Sequence, residues 1–168
     1  MSQTARAARP RLVLLAAAAV LAGIAGCGGE RPRPLVALNS RLAGEESSRE
    51  PALTGRWLAL ISTREGRDRV QLLDVERNVQ LPLPGLNRPD AQLLSVSVDL
   101  AGERLALVRQ LDGRTELVLY QRSLGTLRRL PINPAGVPRR VQLRADGRQL
   151  AVEVSRDGLW QIDLLDLP

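Results

Sequence analysis

One segment pattern recurs three times along the chain, and its period limits the folds open to it. Gly55-Arg56-Trp57-Leu58-Ala59-Leu60 returns as Gly102-Glu103-Arg104-Leu105-Ala106-Leu107, and again as Gly147-Arg148-Gln149-Leu150-Ala151-Val152, at offsets of 47 and 45 residues. A second glycine follows at a fixed distance in each copy, as Glu65-Gly66, Asp112-Gly113 and Asp157-Gly158. Repeats of this length belong to propellers, solenoids and arrays.

Each copy reads as strand, tight turn, strand. Asp-Gly between two apolar runs is a hairpin signal, because glycine adopts positive φ without cost and aspartate nearly so. The central strands, such as Leu105-Ala106-Leu107-Val108 and Leu117-Val118-Leu119-Tyr120, are apolar at nearly every position rather than at every second one. A strand buried on both faces has that pattern, so successive sheets must stack on one another. Leu94-Ser95-Val96-Ser97-Val98 and Arg140-Val141-Gln142-Leu143 alternate with period two and lead into the second and third copies. Val79–Leu83 and Leu127–Ile132 follow the first two hairpins as proline-containing strands, which suits an outer edge. The expected fold is all-β: a partial β-propeller of three four-stranded antiparallel blades at about 51–84, 92–132 and 139–168. Before it come a signal peptide (1–26) and a Pro/Arg/Glu-rich tether (27–50).

The third copy has no fourth strand after Leu167, and Leu35-Val36-Ala37-Leu38 within the tether is the expected substitute. Propellers close with 4–8 blades. Two copies of this chain are therefore expected to pair as a homodimer in a six-bladed ring, the alternative being an open wedge capped by another protein. Trp57 and Trp160, two of only three aromatic residues, are expected in the core.

At the N-terminus Arg6, Arg9 and Arg11 precede an apolar run from Leu12 to Ala25, too short to span a bilayer and of signal-peptide size. It ends in Ile24-Ala25-Gly26-Cys27. This resembles bacterial lipoprotein signals, in which an aliphatic residue and two small residues precede a cysteine. The resemblance implies that Cys27, the single cysteine, is acylated and becomes the first mature residue. It further implies membrane attachment through that lipid, at the periplasmic face of the cell envelope, with Gly28 favouring the outer membrane. Ala145-Asp146-Gly147-Arg148-Gln149-Leu150-Ala151-Val152-Glu153-Val154-Ser155-Arg156-Asp157-Gly158 resembles the TolB-like, WD40-like propeller repeat. It implies blades that bind other proteins.

Composition removes several chemistries. There is no histidine, so Ser-His-Asp, Cys-His and His-based metal sites are excluded. No nucleophile elbow, Walker loop or dinucleotide fingerprint is present. Glu65, Asp112 and Asp157 are explained by turn chemistry, and Asp74 and Asp166 end their strands. No cofactor or metal is expected, and the chain is read as a non-enzyme. The net charge of +6 falls to +3 once the three N-terminal arginines are set aside, which is too mild for a nucleic-acid partner. The doublets Arg128-Arg129 and Arg139-Arg140 are the candidates for contact with anionic groups. The expected function is an envelope lipoprotein that scaffolds another envelope protein or a cell-wall component. The alternative is an accessory, substrate-binding subunit of an envelope hydrolase assembly.

Overall fold

The hairpin turns behave as their residues require. In a computed structural model that describes residues 31–168, Glu65, Asp112 and Asp157 have φ of 53°, 50° and 50°, and Gly66, Gly113 and Gly158 have 68°, 72° and 78°. Two successive left-handed residues make the turn whose twist matches that of the strands it joins. The strands on either side pair over eight residues in unbroken register. They are β2 (Trp57–Arg64) with β3 (Arg67–Asp74), β6 (Arg104–Leu111) with β7 (Arg114–Gln121), and β10 (Gln149–Arg156) with β11 (Leu159–Asp166).

Each hairpin gains a leading strand on one side: β1 (Ser47–Thr54), β5 (Gln92–Val98) and β9 (Val137–Leu143). The first two also gain an outer strand, β4 (Val79–Leu81) and β8 (Thr126–Leu130). The sheets are thus β1-β2-β3-β4, β5-β6-β7-β8 and β9-β10-β11, all antiparallel. The third has three strands among the described residues.

The doubly apolar strands do stack blade on blade. Trp57, Ala59, Ile61, Val70 and Leu72 of the first sheet meet Val96, Val98, Leu105, Leu107, Val118 and Tyr120 of the second. The other face of the second sheet, with Ala106, Val108, Leu117 and Leu119, meets Val141, Leu143, Leu150, Val152 and Val154 of the third. Full burial of one such side chain stabilises by roughly 1.5–3 kcal/mol. Two hydroxyls add direction to the second interface. Ser97 Oγ accepts the Leu143 N–H at 2.8 Å and Ser95 Oγ the Val141 N–H at 3.3 Å, between neighbouring leading strands.

The glycine that opens each repeat is also a packing device. Gly102 has φ of 66°, and a Cβ there would lie 2.5 Å from Cε2 of Trp57. The indole of the first blade lies against a backbone that has no side chain to obstruct it. On the ring, Arg56 holds its guanidinium 4.6 Å from the centroid.

Four expectations need correction. Leu35–Leu38 does not complete the third blade. Val36–Leu42 is a short helix, α1, whose Leu38 and Leu42, four residues apart on one helical face, pack on Leu58, Leu60 and Leu73 at the outer face of the first blade. The segment assigned to the tether therefore contains α1 and the start of β1. Secondly, the ring of two copies would need that outer face bare, and α1 occupies it. Gln71 on the same face donates to Glu45 Oε1 at 2.9 Å, pinning the segment after the helix. Thirdly, the prolines expected in outer strands lie just beyond them, since β4 ends at Leu81 and β8 at Leu130. The prolines within strands are Pro51 and Pro138, in the leading strands β1 and β9. Fourthly, Trp57 is in the core but Trp160 is half exposed.

Candidate functional site

The leading strands β1, β5 and β9 are adjacent in space, β5 lying between the other two. Each is hydrogen-bonded to the rest of its own sheet along one side, leaving the other side toward a shared axis. An irregularity interrupts the pairing of all three, between Arg49 and Ala52, Leu93 and Ser95, and Pro138 and Arg140. These fall opposite Ala59–Ile61, Val108–Arg109 and Glu153–Val154, nearly equivalent points of the repeat. Bulges of this kind re-aim side chains and blunt an exposed edge. Proline fits at such points because no ladder donor is required there, which accounts for Pro51 and Pro138.

The three strands, together with Ala151–Glu153 of β10 and Ile162 of β11, line a groove of about 510 Å³. Its polar lining includes Glu50, Ser95, Ser97, Arg140, Gln142 and Glu153. Glu50 lies in the bulge of β1 with φ of 51° and reaches Arg140 of β9 at 3.3 Å, an ion pair from the first blade to the third. Beside it, Arg139 is 3.5 Å from Glu153 and lies over the Trp160 ring at 4.6 Å. Further out, Arg49 donates to Asp68 at 2.5 Å and to the Leu93 carbonyl at 3.2 Å, tying the first blade to the second. The guanidinium, joined by the Thr63 hydroxyl, holds the Asp68 carboxyl below the usual carboxylate range.

The two arginine doublets are not brought together. Arg128 and Arg129 sit on β8, the outermost strand of the second blade, whereas Arg139 and Arg140 sit on β9, beside the axis. Arg129 is 3.7 Å from Glu116. Arg139, Arg140 and Arg129 thus face carboxylates of this chain. The turn acids keep their turn role, at positive φ. Asp74 does more than end a strand: it is buried and accepts the N–H groups of Glu76 and Arg77, both at 3.1 Å. Cys27 and the signal segment lie outside the described residues.

Sequence reasoning missed Glu50 as a groove residue, since a polar stretch ending in Glu50-Pro51 has no strand pattern. The signal available was Pro51 shortly ahead of the first repeat copy, a proline in a leading strand as Pro138 is ahead of the third.

The described strands define a class of protein: a β-propeller, represented by three consecutive blades with their leading strands around an axis. Within that class the fold is TolB-like. With TolB from Acinetobacter baumannii the chain shares 16% identity at a TM-score of 0.55, over 73% of this chain and 30% of that one. With a candidate TolB from Agrobacterium tumefaciens it shares 9% identity at a TM-score of 0.60, over 75% of this chain and 48% of that one. At such identities the likeness concerns fold, and the chain spans about a third to a half of those proteins. No family model matches the sequence, and no curated protein matches it.

Proposed function

We propose that the chain is a non-catalytic binding module of the cell envelope, anchored through lipid on Cys27, which takes a segment of another envelope protein or of the cell wall into the groove along β1, β5 and β9. The carrying observation is the groove itself. It is about 510 Å³, is lined by backbone-positioned polar groups of both signs, and is spanned by the Glu50–Arg140 pair. Pockets of this size with a few convergent polar groups are the usual place for a ligand. A pair with Arg140 largely exposed contributes little to stability, so it is free to exchange partners with an incoming segment. The absence of histidine from the whole sequence supports a binding role over acid–base chemistry. The Ile24-Ala25-Gly26-Cys27 pattern supports the anchor and the envelope location, with the outer membrane favoured by Gly28. Stable attachment needs more than one acyl chain, which a triacylated cysteine supplies.

A photo-crosslinking residue at Gln142, in the full chain with Cys27 intact and expressed in its own cells, tests the groove. A discrete crosslinked partner is expected at Gln142 and not at Arg128 on the distant outer strand, and Arg140→Glu should reduce its yield. Equal capture from both positions would reject the groove as the binding site. Metabolic labelling with an alkyne fatty acid, lost on Cys27→Ser, is the corresponding test of the anchor.

A further inference from the structure

α1 presents apolar side chains in two directions, and the blade uses only one of them. Leu38 and Leu42 pack on Leu58, Leu60 and Leu73 at the back of the first blade. Val36 stands two residues before Leu38, about 200° around a helix of 3.6 residues per turn, and is 68% exposed. Leu35, which leads into the helix, is 60% exposed. Apolar residues exposed singly are ordinary, but these two are consecutive and follow a basic stretch.

Charge is segregated along the same segment. From Arg31 to Gly44 the sequence has three arginines, Arg31, Arg33 and Arg41, and no carboxylate. All three are exposed. The two carboxylates that come next are turned to the blade. Glu45 accepts from Gln71 at 2.9 Å, and Glu46 accepts the backbone N–H groups of Glu65 and Gly66 at 2.7 and 3.3 Å. The ion pairs among the described residues use arginines from Arg49 onward. Arg129, Arg139 and Arg140 thus spend their charge within the chain, whereas this segment keeps its own for a partner. Exposed apolar residues beside basic ones make up segments that lie in a bilayer interface.

The covalent chain sets what is within reach. Cys27 lies eight residues before Leu35, and that length spans at most about 29 Å. With Cys27 held by its lipid, no conformation of the intervening residues takes α1 further than this from the bilayer surface. A second contact with that surface is then intramolecular, which favours it without any increase in contact area.

We propose that Leu35, Val36 and the neighbouring arginines dock on the anionic lipid surface that holds Cys27, so that the back of the first blade faces the membrane. The proposal rests on the reading of Cys27 as a lipid anchor and adds a second, orienting contact to it. Each arginine near an anionic surface strengthens such binding about fivefold, and salt screens the effect.

The full acylated chain, reconstituted into phosphatidylethanolamine–phosphatidylglycerol vesicles, carries the test. Acylation consumes the single native thiol, so Val36→Cys can be labelled alone with an environment-sensitive fluorophore. Leu124→Cys, exposed in the turn before β8, is the control. Nitroxides attached to the lipid should quench the label at position 36 several-fold more than the label at 124. Arg31→Gln with Arg33→Gln should lower the docked-to-free ratio at position 36 by about 25-fold, and phosphatidylcholine vesicles should do likewise. These positions are exposed, so the circular dichroism of the variants should match the unmodified chain. Equal quenching at 36 and 124 in a chain that floats with the vesicles overturns the proposal. So does quenching indifferent to lipid charge, or a label shielded only in whole envelopes, which would mean that a protein covers the segment. Failure of the anchor is read separately, as a Cys27 that takes up no fatty acid; if position 36 is then unquenched as well, docking falls with it.

Discussion

Replacing Gly102 by alanine separates the two reasons for a glycine that opens a blade. The residue sits at φ of 66°, where an L side chain costs about 1–2 kcal/mol. A Cβ would also lie 2.5 Å from Cε2 and 2.7 Å from Cδ2 of Trp57. That ring is buried between two sheets beneath Arg56, so it cannot retreat without disturbing neighbours, and overpacking of this sort adds about 1–3 kcal/mol. The expected total is about 2–5 kcal/mol. Gly113 supplies the control: its φ is 72°, but nothing lies within 4 Å of the added Cβ. Gly113→Ala should therefore show the backbone cost alone, about 1–2 kcal/mol. With a urea slope of about 2 kcal/mol/M, the midpoint should fall by about 1–2.5 M for Gly102→Ala and by about 0.5–1 M for Gly113→Ala. Equal shifts for the two variants would refute the blade-to-blade contact. A Trp57→Leu background should bring the two costs together, since the contact is then gone and the dihedral cost remains.

Ser97→Ala removes the acceptor of the Leu143 N–H and leaves a buried donor unpaired, at an expected cost of about 1–3 kcal/mol in urea unfolding. Faster hydrogen exchange at the Leu143 amide should accompany it. The Arg49–Asp68 pair predicts the sign of an acid effect. The Asp68 pKa is depressed in the folded chain by the guanidinium hydrogen bond, so its contribution is present above the unfolded carboxylate value of about 3.9 and is lost as pH falls through the lower folded value. Asp68→Asn should lower stability at neutral pH and flatten the loss below about pH 4, as read by thermal unfolding across pH 2–7; an unchanged acid limb would contradict the assignment.

The repeat, the hairpins and the stacking of sheets were legible in the residues because each is set by local chemistry. Asp-Gly and Glu-Gly fix their turns within two residues, and a strand buried on both faces is apolar at every position whatever packs on it. Leu35-Val36-Ala37-Leu38 was not legible. Four apolar residues satisfy a strand and a helix equally, and the choice was made by where their greasy side could go. Leu38 and Leu42 share one side of a helix and together cover Leu60 and Leu73, whereas a strand at the third blade would have left the back of the first blade bare. β1 was hidden for the opposite reason. It borders a groove and bonds to one neighbour, so Ser47-Ser48-Arg49-Glu50 carries little of the alternation that a covered strand needs.

What the amino-acid order determined by itself was the unit: glycine-punctuated strands of one length, greasy on both sides, repeated three times. What only the tertiary structure decided was which distant residues meet. Such contacts depend on residues far apart in the chain, so it placed α1 over the back of the first blade and brought Glu50 to Arg140 across ninety residues.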